Sequence, residues 1–185
     1  QTMHKQFAGV AIEVYPLSEE EYAKLYSAGA DGLTIYQETY NREQYKRFHT
    51  TGKKSDFTWR METADRAGIA GLRKIGIGAL LGLSEWRTEM FFVALHAMHL
   101  IKTYWKSQIQ VSFPRLRSAA GNFSPEHTVT DKNLTQIICA MRILMPDTPL
   151  VLSTREPAEL RDNLIPMGIT IMSAGSKTEP GDIPI

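Results

Sequence analysis

The sequence is poor in cysteine, with a single residue, Cys139, among 185. One thiol excludes an intrachain disulfide and any metal site built from several cysteines. Cys139 lies within an apolar run of helical character, so packing is its expected role. The scarcity of cysteine favours a cytoplasmic protein.

The sequence also lacks an excess of one charge and lacks a long apolar run. There are 21 basic and 20 acidic residues, giving a net charge of +1, which offers no electrostatic basis for binding nucleic acid or an anionic membrane. No apolar run approaches the roughly 20 residues of a membrane-spanning helix. The first residues lack the apolar core of a signal peptide. We therefore expect one globular domain over residues 1–185.

What the sequence does contain is a regular alternation of strand-like and helix-like segments. The predicted strands are 10–16, 32–40, a glycine-containing strand from Lys74, 109–113, 150–154 and 169–173. The predicted helices are 18–28, 56–70, 84–105, 131–144 and 156–167, and 41–54 is predicted as a polar stretch ending in an exposed loop. This alternation predicts an α/β fold with a parallel sheet, either open and doubly wound or three-quarters of an eight-stranded barrel. No phosphate-binding fingerprint follows the first strand, which argues against a dinucleotide fold.

The most unusual stretch is 74–85, where three glycines punctuate an apolar run: Gly76, Gly78 and Gly82. Glycine weakens a strand and commonly marks a place where a ligand or another backbone comes close. One interpretation is therefore a flat ligand lying over this strand. The alternative is a tightly packed barrel in which the glycines only make room for bulky neighbours.

Polar residues collect where the predicted strands end, the edge at which parallel α/β folds carry their chemistry. They are Glu38, Ser84, Arg115, Arg117, Ser153, Arg155, Glu156, Ser173 and Ser176. Several arginines at one mouth predict a small carboxylate-bearing ligand, because the guanidinium grips a carboxylate with two hydrogen bonds. The alternative is that Arg155 and Glu156 belong to a helix-start network and that Arg115 and Arg117 are solvated.

Neither a nucleophile–base set nor a metal site is apparent. Ser153 and Ser173 have no histidine at a neighbouring strand end, and no Gly-x-Ser-x-Gly elbow occurs. His96 and His99 have a spacing that suits metal binding, but no third ligand accompanies them, so we expect no metal site. The residues alone predict a ligand-binding α/β domain.

Six segments carry distinctive motifs: 36–41 (YQETYN), 52–60 (GKKSDFTWR), 74–83 (KIGIGALLGL), 111–117 (VSFPRLR), 152–156 (LSTRE) and 173–181 (SAGSKTEPG). Together they resemble the ThiH family of radical S-adenosylmethionine tyrosine lyases, also called 2-iminoacetate synthases. The related HydG family, tyrosine lyases of hydrogenase maturation, shares the QETY, PRLR and STRE motifs. The GKKSDF and SFP motifs look more like ThiH.

The resemblance implies a partial (β/α) barrel, corresponding to strands three to eight of a radical S-adenosylmethionine barrel. It also implies a biotin/thiamin-synthesis-associated region over about 84–181. Family members use S-adenosylmethionine and a [4Fe–4S] cluster to cleave the Cα–Cβ bond of tyrosine, giving p-cresol and dehydroglycine for thiamine biosynthesis. The cluster loop, Cys-x-x-x-Cys-x-x-Cys, has no counterpart here, so we expect this chain alone to be inactive.

The resemblance also assigns roles to individual residues. Glu38 is expected to meet the ribose hydroxyls of S-adenosylmethionine and Arg60 its carboxylate. The stretch 77–83 is expected to lie against the adenine, with Ile77, Gly78, Gly82 and Leu83 as cofactor-binding residues. Arg155 is expected to clamp the carboxylate of tyrosine with Ser173 nearby, and Arg115 is a second candidate for that clamp.

The expected partners are tyrosine and a thiazole synthase subunit. A partial barrel would also leave two open sheet edges, near 10–15 and 169–173, and such edges favour self-association. A cluster-free binding or assembly domain and a HydG-type lyase fragment remain as alternatives.

Overall fold

The computed structural model describes residues 6–116 and 125–174. In these residues six strands form one parallel sheet in the order β1-β2-β3-β4-β5-β6. They are Ala11–Ile12 (β1), Gly32–Thr34 (β2), Lys74–Gly78 (β3), Gln108–Ser112 (β4), Leu150–Leu152 (β5) and Ile171–Met172 (β6). Each strand pairs with the strand that precedes or follows it in the chain. A doubly wound sheet needs a point where the strand order reverses. The sheet has none, which confirms the barrel-type alternative.

The described residues form seven α-helices, most of which pack against one face of this sheet. They are Glu19–Ser27 (α1), Arg42–Phe48 (α2), Phe57–Met61 (α3), Thr63–Ile69 (α4), Trp86–Thr103 (α5), Asp131–Leu144 (α6) and Ala158–Leu164 (α7), with short 3₁₀ turns at Lys53–Ser55 and Ile165–Met167. None of the described helices is both long and apolar enough to span a membrane.

Helix starts follow the side chains that cap them. Ser18 begins α1 with a reciprocal capping box to Glu21, as its position before three glutamates predicts. Thr130 caps α6, which begins at Asp131 as predicted. The prediction for 41–54 missed α2, which the Asn41 side chain starts by accepting bonds from the Glu43 and Gln44 amides, whereas 50–54 is exposed as predicted.

The predicted elements differ from the observed ones mainly in length. All six strands are two to five residues long, shorter than most of the predicted segments. The predicted helix 56–70 is two helices that meet at Glu62, and the predicted helix 156–167 is α7 followed by a 3₁₀ turn.

The core lies between the sheet and the helices. Alternate strand residues, such as Ile75, Ile77, Ile109 and Val111, are at most 2% exposed and belong to one apolar cluster with residues of α5 and α6. The intervening residues face the concave side of the sheet, because successive side chains of a strand point to opposite faces. The concave side is therefore where ligands have access.

Candidate functional site

A pocket of about 360 Å³ occupies the concave side of the sheet. Its lining residues come from all six strands or their C-terminal ends: Glu13, Thr34, Tyr36, Leu80, Gln110, Ser112, Phe113, Pro114, Val151, Ser153, Arg155 and Ser173. The volume falls in the range of small-molecule sites. The lining is mixed, with two charged groups of opposite sign and several hydroxyls among apolar side chains.

Arg155 and Ser173, two of the predicted residues, lie together in this pocket. The backbone N–H of Arg155 donates to Ser153 Oγ over 3.2 Å, which fixes the turn after β5. The Ser173 hydroxyl accepts from the Thr154 N–H over 3.1 Å, which ties the end of β6 to the same turn. The exposed Arg155 side chain therefore stands on an ordered rim.

The glycines of β3 leave the concave face of that strand without side chains. A Cβ at Gly78 would lie 2.6 Å from the Ser112 carbonyl oxygen and 3.2 Å from the Tyr36 ring, and a Cβ at Gly76 would lie 3.0 Å from Thr34 Oγ1. Neighbouring groups thus already crowd this strand, as the packing interpretation requires. Neither glycine is among the residues that line the pocket, so the ligand interpretation of this strand stays a prediction.

The other residues of the stretch 77–83 contribute differently. The Ile77 side chain is 2% exposed and packs in the helix-facing core, so only its main chain faces a ligand. Gly82 has φ +119°, and a Cβ there would lie 3.1 Å from Leu116. Leu83 is 7% exposed. Their roles toward a cofactor stay predictions.

Glu38 and Arg60 form a second group at the mouth, just beyond β2. The Arg60 guanidinium donates from Nη2 to Glu38 Oε1 over 3.1 Å and from Nε to the Tyr36 carbonyl over 2.7 Å. Lys54 Nζ lies 2.8 Å from the same carboxylate oxygen. Glu38 has φ +72° and is the one non-glycine residue with positive φ in the described ranges. Such strain is tolerated where the surroundings enforce it, often at functional sites.

Arg115 lies outside the pocket and is already engaged by acidic partners. Its Nε donates to Glu156 Oε1 over 2.9 Å, its Nη2 donates to Glu156 Oε2, and it also reaches Asp131 Oδ1 over 2.9 Å. Its side chain is 7% exposed and that of Glu156 is 4% exposed. Burial lowers the pKa of Arg115, but the bonds to Glu156 and Asp131 outweigh this and raise it overall. The alternative of a solvated Arg115 was wrong, and its role as a second clamp stays a prediction. Arg117 and Ser176 lie outside the described residues.

Behind the Glu38 loop lies a buried polar network that the sequence did not reveal. Glu89 of α5 accepts from Thr39 Oγ1 over 2.6 Å and from the Tyr40 N–H over 2.8 Å. Tyr40 Oη lies 2.8 Å from His96 Nδ1. Burial raises the pKa of Glu89, although the bonds from Thr39 and Tyr40 oppose this. The network joins the loop to α5.

His96 gives the fold a specific sensitivity to acid. Burial lowers its pKa from 6.5 to about 4, and the smaller effects of Asp65 and His99 oppose each other. His96 therefore takes up a proton near pH 6.5 in the unfolded chain but only near pH 4 in the folded chain. Stability contributed by neutral His96 should be complete above pH 6.5 and be lost as the pH falls toward 4, by up to about 3 kcal/mol. Urea unfolding of parent and His96→Asn at several pH values measures this.

The matched control is His99→Asn, one turn further along α5, where the ring is 54% exposed and pairs with Asp65 over 2.8 Å. The pH dependence should flatten between 6.5 and 4 in His96→Asn and persist in His99→Asn. Equal slopes in parent and His96→Asn would contradict the assignment. Within the described residues no cluster of three or more metal-ligating side chains occurs, and the two histidines are bonded to different partners.

The sequence did not indicate five polar residues of the pocket: Glu13, Thr34, Tyr36, Gln110 and Ser112. Tyr36 has its pKa raised by burial, with the charges of Glu13 and Glu38 adding to that effect and a bond with Ser112 opposing it. The alternation of side chains along a strand could have indicated them. Thr34, Tyr36 and Glu38 are alternate residues, and alternate residues of a strand face the same side of the sheet. Applying that parity to each strand would have identified the concave set.

The family model that matches this chain is the "Biotin and Thiamin Synthesis associated domain", over residues 112–183. Two curated relatives match nearly all of the chain. The 2-iminoacetate synthase of Salmonella typhimurium is 50% identical over 181 residues, covering 97% of this chain and 48% of the relative. That of Escherichia coli is 49% identical over 180 residues, again 97% and 48%. The chain therefore spans about half the length of these relatives.

Solved structures agree with these relationships. HydG from Carboxydothermus hydrogenoformans matches with a TM-score of 0.85 and 38% identity, covering 94% of this chain and 41% of that one. Another HydG structure matches with a TM-score of 0.83 and 34% identity, covering 91% and 38%. Methylornithine synthase (PylB), at 16% identity and a TM-score of 0.67 over 93% of this chain and 50% of that one, shows the fold alone. The resemblance stated from the motifs is confirmed.

Proposed function

We propose, from the similarity of nearly the whole chain to 2-iminoacetate synthases of the ThiH family, that it forms the part of a tyrosine lyase barrel that binds S-adenosylmethionine and tyrosine. The proposed reaction of the whole enzyme is cleavage of the tyrosine Cα–Cβ bond to p-cresol and dehydroglycine for thiamine biosynthesis. The observation that carries the proposal is the concave mouth, where Arg155 and Ser173 line one pocket and Glu38 and Arg60 border it.

The residues present fit S-adenosylmethionine. Gly76 and Gly78 leave a flat strand beside the Tyr36 ring, against which a planar base can lie. Glu38 Oε1 binds Arg60 and Lys54, while its other oxygen accepts no bond from a described residue and suits a ribose hydroxyl. Arg60 holds Glu38 in place and has Nη1 left for the ligand's carboxylate. When bound, the cofactor supplies the hydrogen-abstracting chemistry, and the protein orients the reactants.

The residues do not fit a [4Fe–4S] cluster. Such clusters are held by several cysteine thiolates, whereas this sequence has one cysteine. Ligands for a cluster would have to come from outside these 185 residues. We therefore propose that the chain by itself binds and positions its ligands without turning them over.

At the other side of the mouth, Arg155 recognises the substrate. Its guanidinium can hold the tyrosine carboxylate with two parallel hydrogen bonds, which fixes the direction of the amino acid as well as its affinity. Ser173 lies on the same rim. Glu13, across the sheet on the β1 side, supplies the opposite charge in the pocket.

Titration calorimetry on the chain tests the proposal. S-adenosylmethionine and tyrosine should each bind, and Glu38→Ala should weaken S-adenosylmethionine at least tenfold, since it removes an acceptor at the mouth, about 1.4 kcal/mol or more. Arg155→Ala should weaken tyrosine by a similar factor while leaving S-adenosylmethionine largely unaffected.

Matched controls are Glu43→Ala on α2 and Arg73→Ala before β3, both exposed and remote from the pocket. Neither should change either affinity more than about twofold. The proposal would be contradicted if neither ligand binds at millimolar concentration, or if the control variants lose as much affinity as the site variants. The chain would then serve only as structural support.

A cluster-free binding or assembly domain is the second candidate, and one cysteine among these 185 residues is compatible with it. Iron and absorbance measurements on the protein containing the complete reading frame separate the two. A HydG-type lyase is less well supported, because identity to the HydG structures is 34–38% against 49–50% for the 2-iminoacetate synthases.

Two partners also stay proposals. Among the described strands, β1 pairs with β2 alone and β6 with β5 alone, so each has an edge suited to self-association or to a covering segment. A thiazole synthase subunit as a partner is supported by the family relationship.

A further inference from the structure

One buried carboxylate of α5 holds the loop that carries Glu38. Glu89 is 1% exposed, and each of its two oxygens faces a donor of the loop: Oε1 accepts from the Thr39 hydroxyl and Oε2 from the Tyr40 N–H. Burying a carboxylate is costly unless it is fully hydrogen-bonded. The loop provides those bonds, so carboxylate and loop depend on each other.

The loop needs such a support because its backbone is strained. Glu38 adopts φ +72°, a conformation that is unfavourable for a residue with a Cβ. The next residue, Thr39, is fully buried, and its hydroxyl also accepts from the Asn41 N–H over 3.1 Å. The bonds to Glu89 thus begin one residue after the strained position and continue to the cap of α2.

The front of the loop is fixed separately by Arg60 and Lys54, which hold the Glu38 carboxylate. These two cations come from the segment before α4, whereas Glu89 comes from the helix after β3. The Glu38 side chain is therefore held by Lys54 and Arg60, whereas the residues that follow it, Thr39 and Tyr40, are held by Glu89. A change at Glu89 should release the backbone without removing any group that faces the mouth.

We propose that Glu89 is a positioning residue for the cofactor site: it keeps Thr39 and Tyr40 in place so that Glu38 presents its carboxylate at the mouth. This inference rests on the proposed function, in which Glu38 meets the ribose hydroxyls of S-adenosylmethionine. A carboxylate suits the task because both oxygens accept. An amide at this position would turn one donor group toward the loop.

The test compares Glu89→Gln with Glu85→Gln, the same change on the residue that caps the same helix. Glu85 bonds to Thr88 and Arg87 and to no residue of the loop. Three quantities are measured on each chain: the dissociation constants for S-adenosylmethionine and tyrosine, amide exchange across 38–41, and the urea midpoint. If Glu89→Gln fails to fold, Thr39→Val removes the facing hydroxyl instead.

The expected result is selective. Glu89→Gln should raise the dissociation constant for S-adenosylmethionine about tenfold, leave that for tyrosine within about twofold, and speed exchange at Tyr40 and Asn41 while the core amides of α5 stay protected. Glu85→Gln should change none of these by more than about twofold.

A purely structural role predicts a different pattern, in which exchange rises throughout α5 and both ligands weaken together, and that pattern would overturn the proposal. If the parent chain binds no S-adenosylmethionine, the proposed function fails, yet exchange at Tyr40 still decides whether Glu89 holds the loop. Unchanged Tyr40 exchange in Glu89→Gln refutes the positioning role in either case.

Discussion

Replacing Arg115 with methionine should lower the free energy of unfolding by about 3–5 kcal/mol, because it removes one member of a buried, doubly hydrogen-bonded ion pair. Glu156 is 5% exposed and receives two bonds from the Arg115 guanidinium. Methionine fills much of the same volume, so the loss reflects the broken ion pair more than a cavity. Urea unfolding followed by circular dichroism measures it.

Two further variants separate the charge effect from general damage. Arg155→Met changes the exposed arginine next to Glu156 and should alter stability by less than about 0.5 kcal/mol. The double variant Arg115→Met, Glu156→Met removes both charges and should recover most of the loss, since an apolar pair of similar size can replace a buried ion pair. If Arg115→Met costs under 1 kcal/mol, or the double variant is as unstable as the single one, the ion pair does not stabilise the rim in this way.

Gly78→Ala is expected to be the second large effect, costing about 3 kcal/mol. The added Cβ would lie 2.6 Å from the Ser112 carbonyl oxygen, which belongs to the paired strand and cannot rotate away as a side chain can. Forcing extra volume into a packed site commonly costs about 1–3 kcal/mol, and a backbone neighbour places this one at the upper end. The free energy of unfolding from urea titration reports the cost.

Gly52→Ala is the matched control, because a Cβ there meets nothing within 4 Å although φ is +73°. Its cost, about 1–3 kcal/mol, should come from the backbone alone, because φ +73° with ψ −175° is a conformation almost confined to glycine. A Gly78→Ala chain as stable as the parent would show that β3 can move away from β4, and the interpretation of a tightly packed strand would lose its basis.

The fold was predictable to the extent that it depends on local patterns. Six strands alternating with helices define a parallel sheet, and the cap at Ser18 was readable from the adjacent glutamates. Helix α2 was missed because it has only seven residues and a polar sequence, so that Asn41 was its main signal. The sequence pattern could not distinguish a barrel from an open sheet, because the two differ in strand order, and strand order depends on where each helix packs.

The site was predictable where a residue directly follows a strand. Arg155 and Ser173 share the pocket, and Glu38 and Arg60 form a pair. The state of Arg115 was not readable, because its partner Glu156 is 41 residues away in sequence. The burial of Glu89 was not predictable for the same reason. A single glutamate in a helix is expected to be exposed, and the loop residues that bond to Glu89 lie 49 and 50 residues earlier in the sequence.

The chain-order sheet has a consequence for how the molecule assembles. Since every strand pairs with its neighbour in sequence, each βα unit can add to the preceding one without a segment from a more distant part of the chain. β3 and β4 share the longest register, five residue pairs, while β1 and β6 are each held by two. The molecule resembles a short run of repeats, most cohesive at its centre. The glycine strand thus lies at the centre of the sheet, in the pair of strands with the longest register.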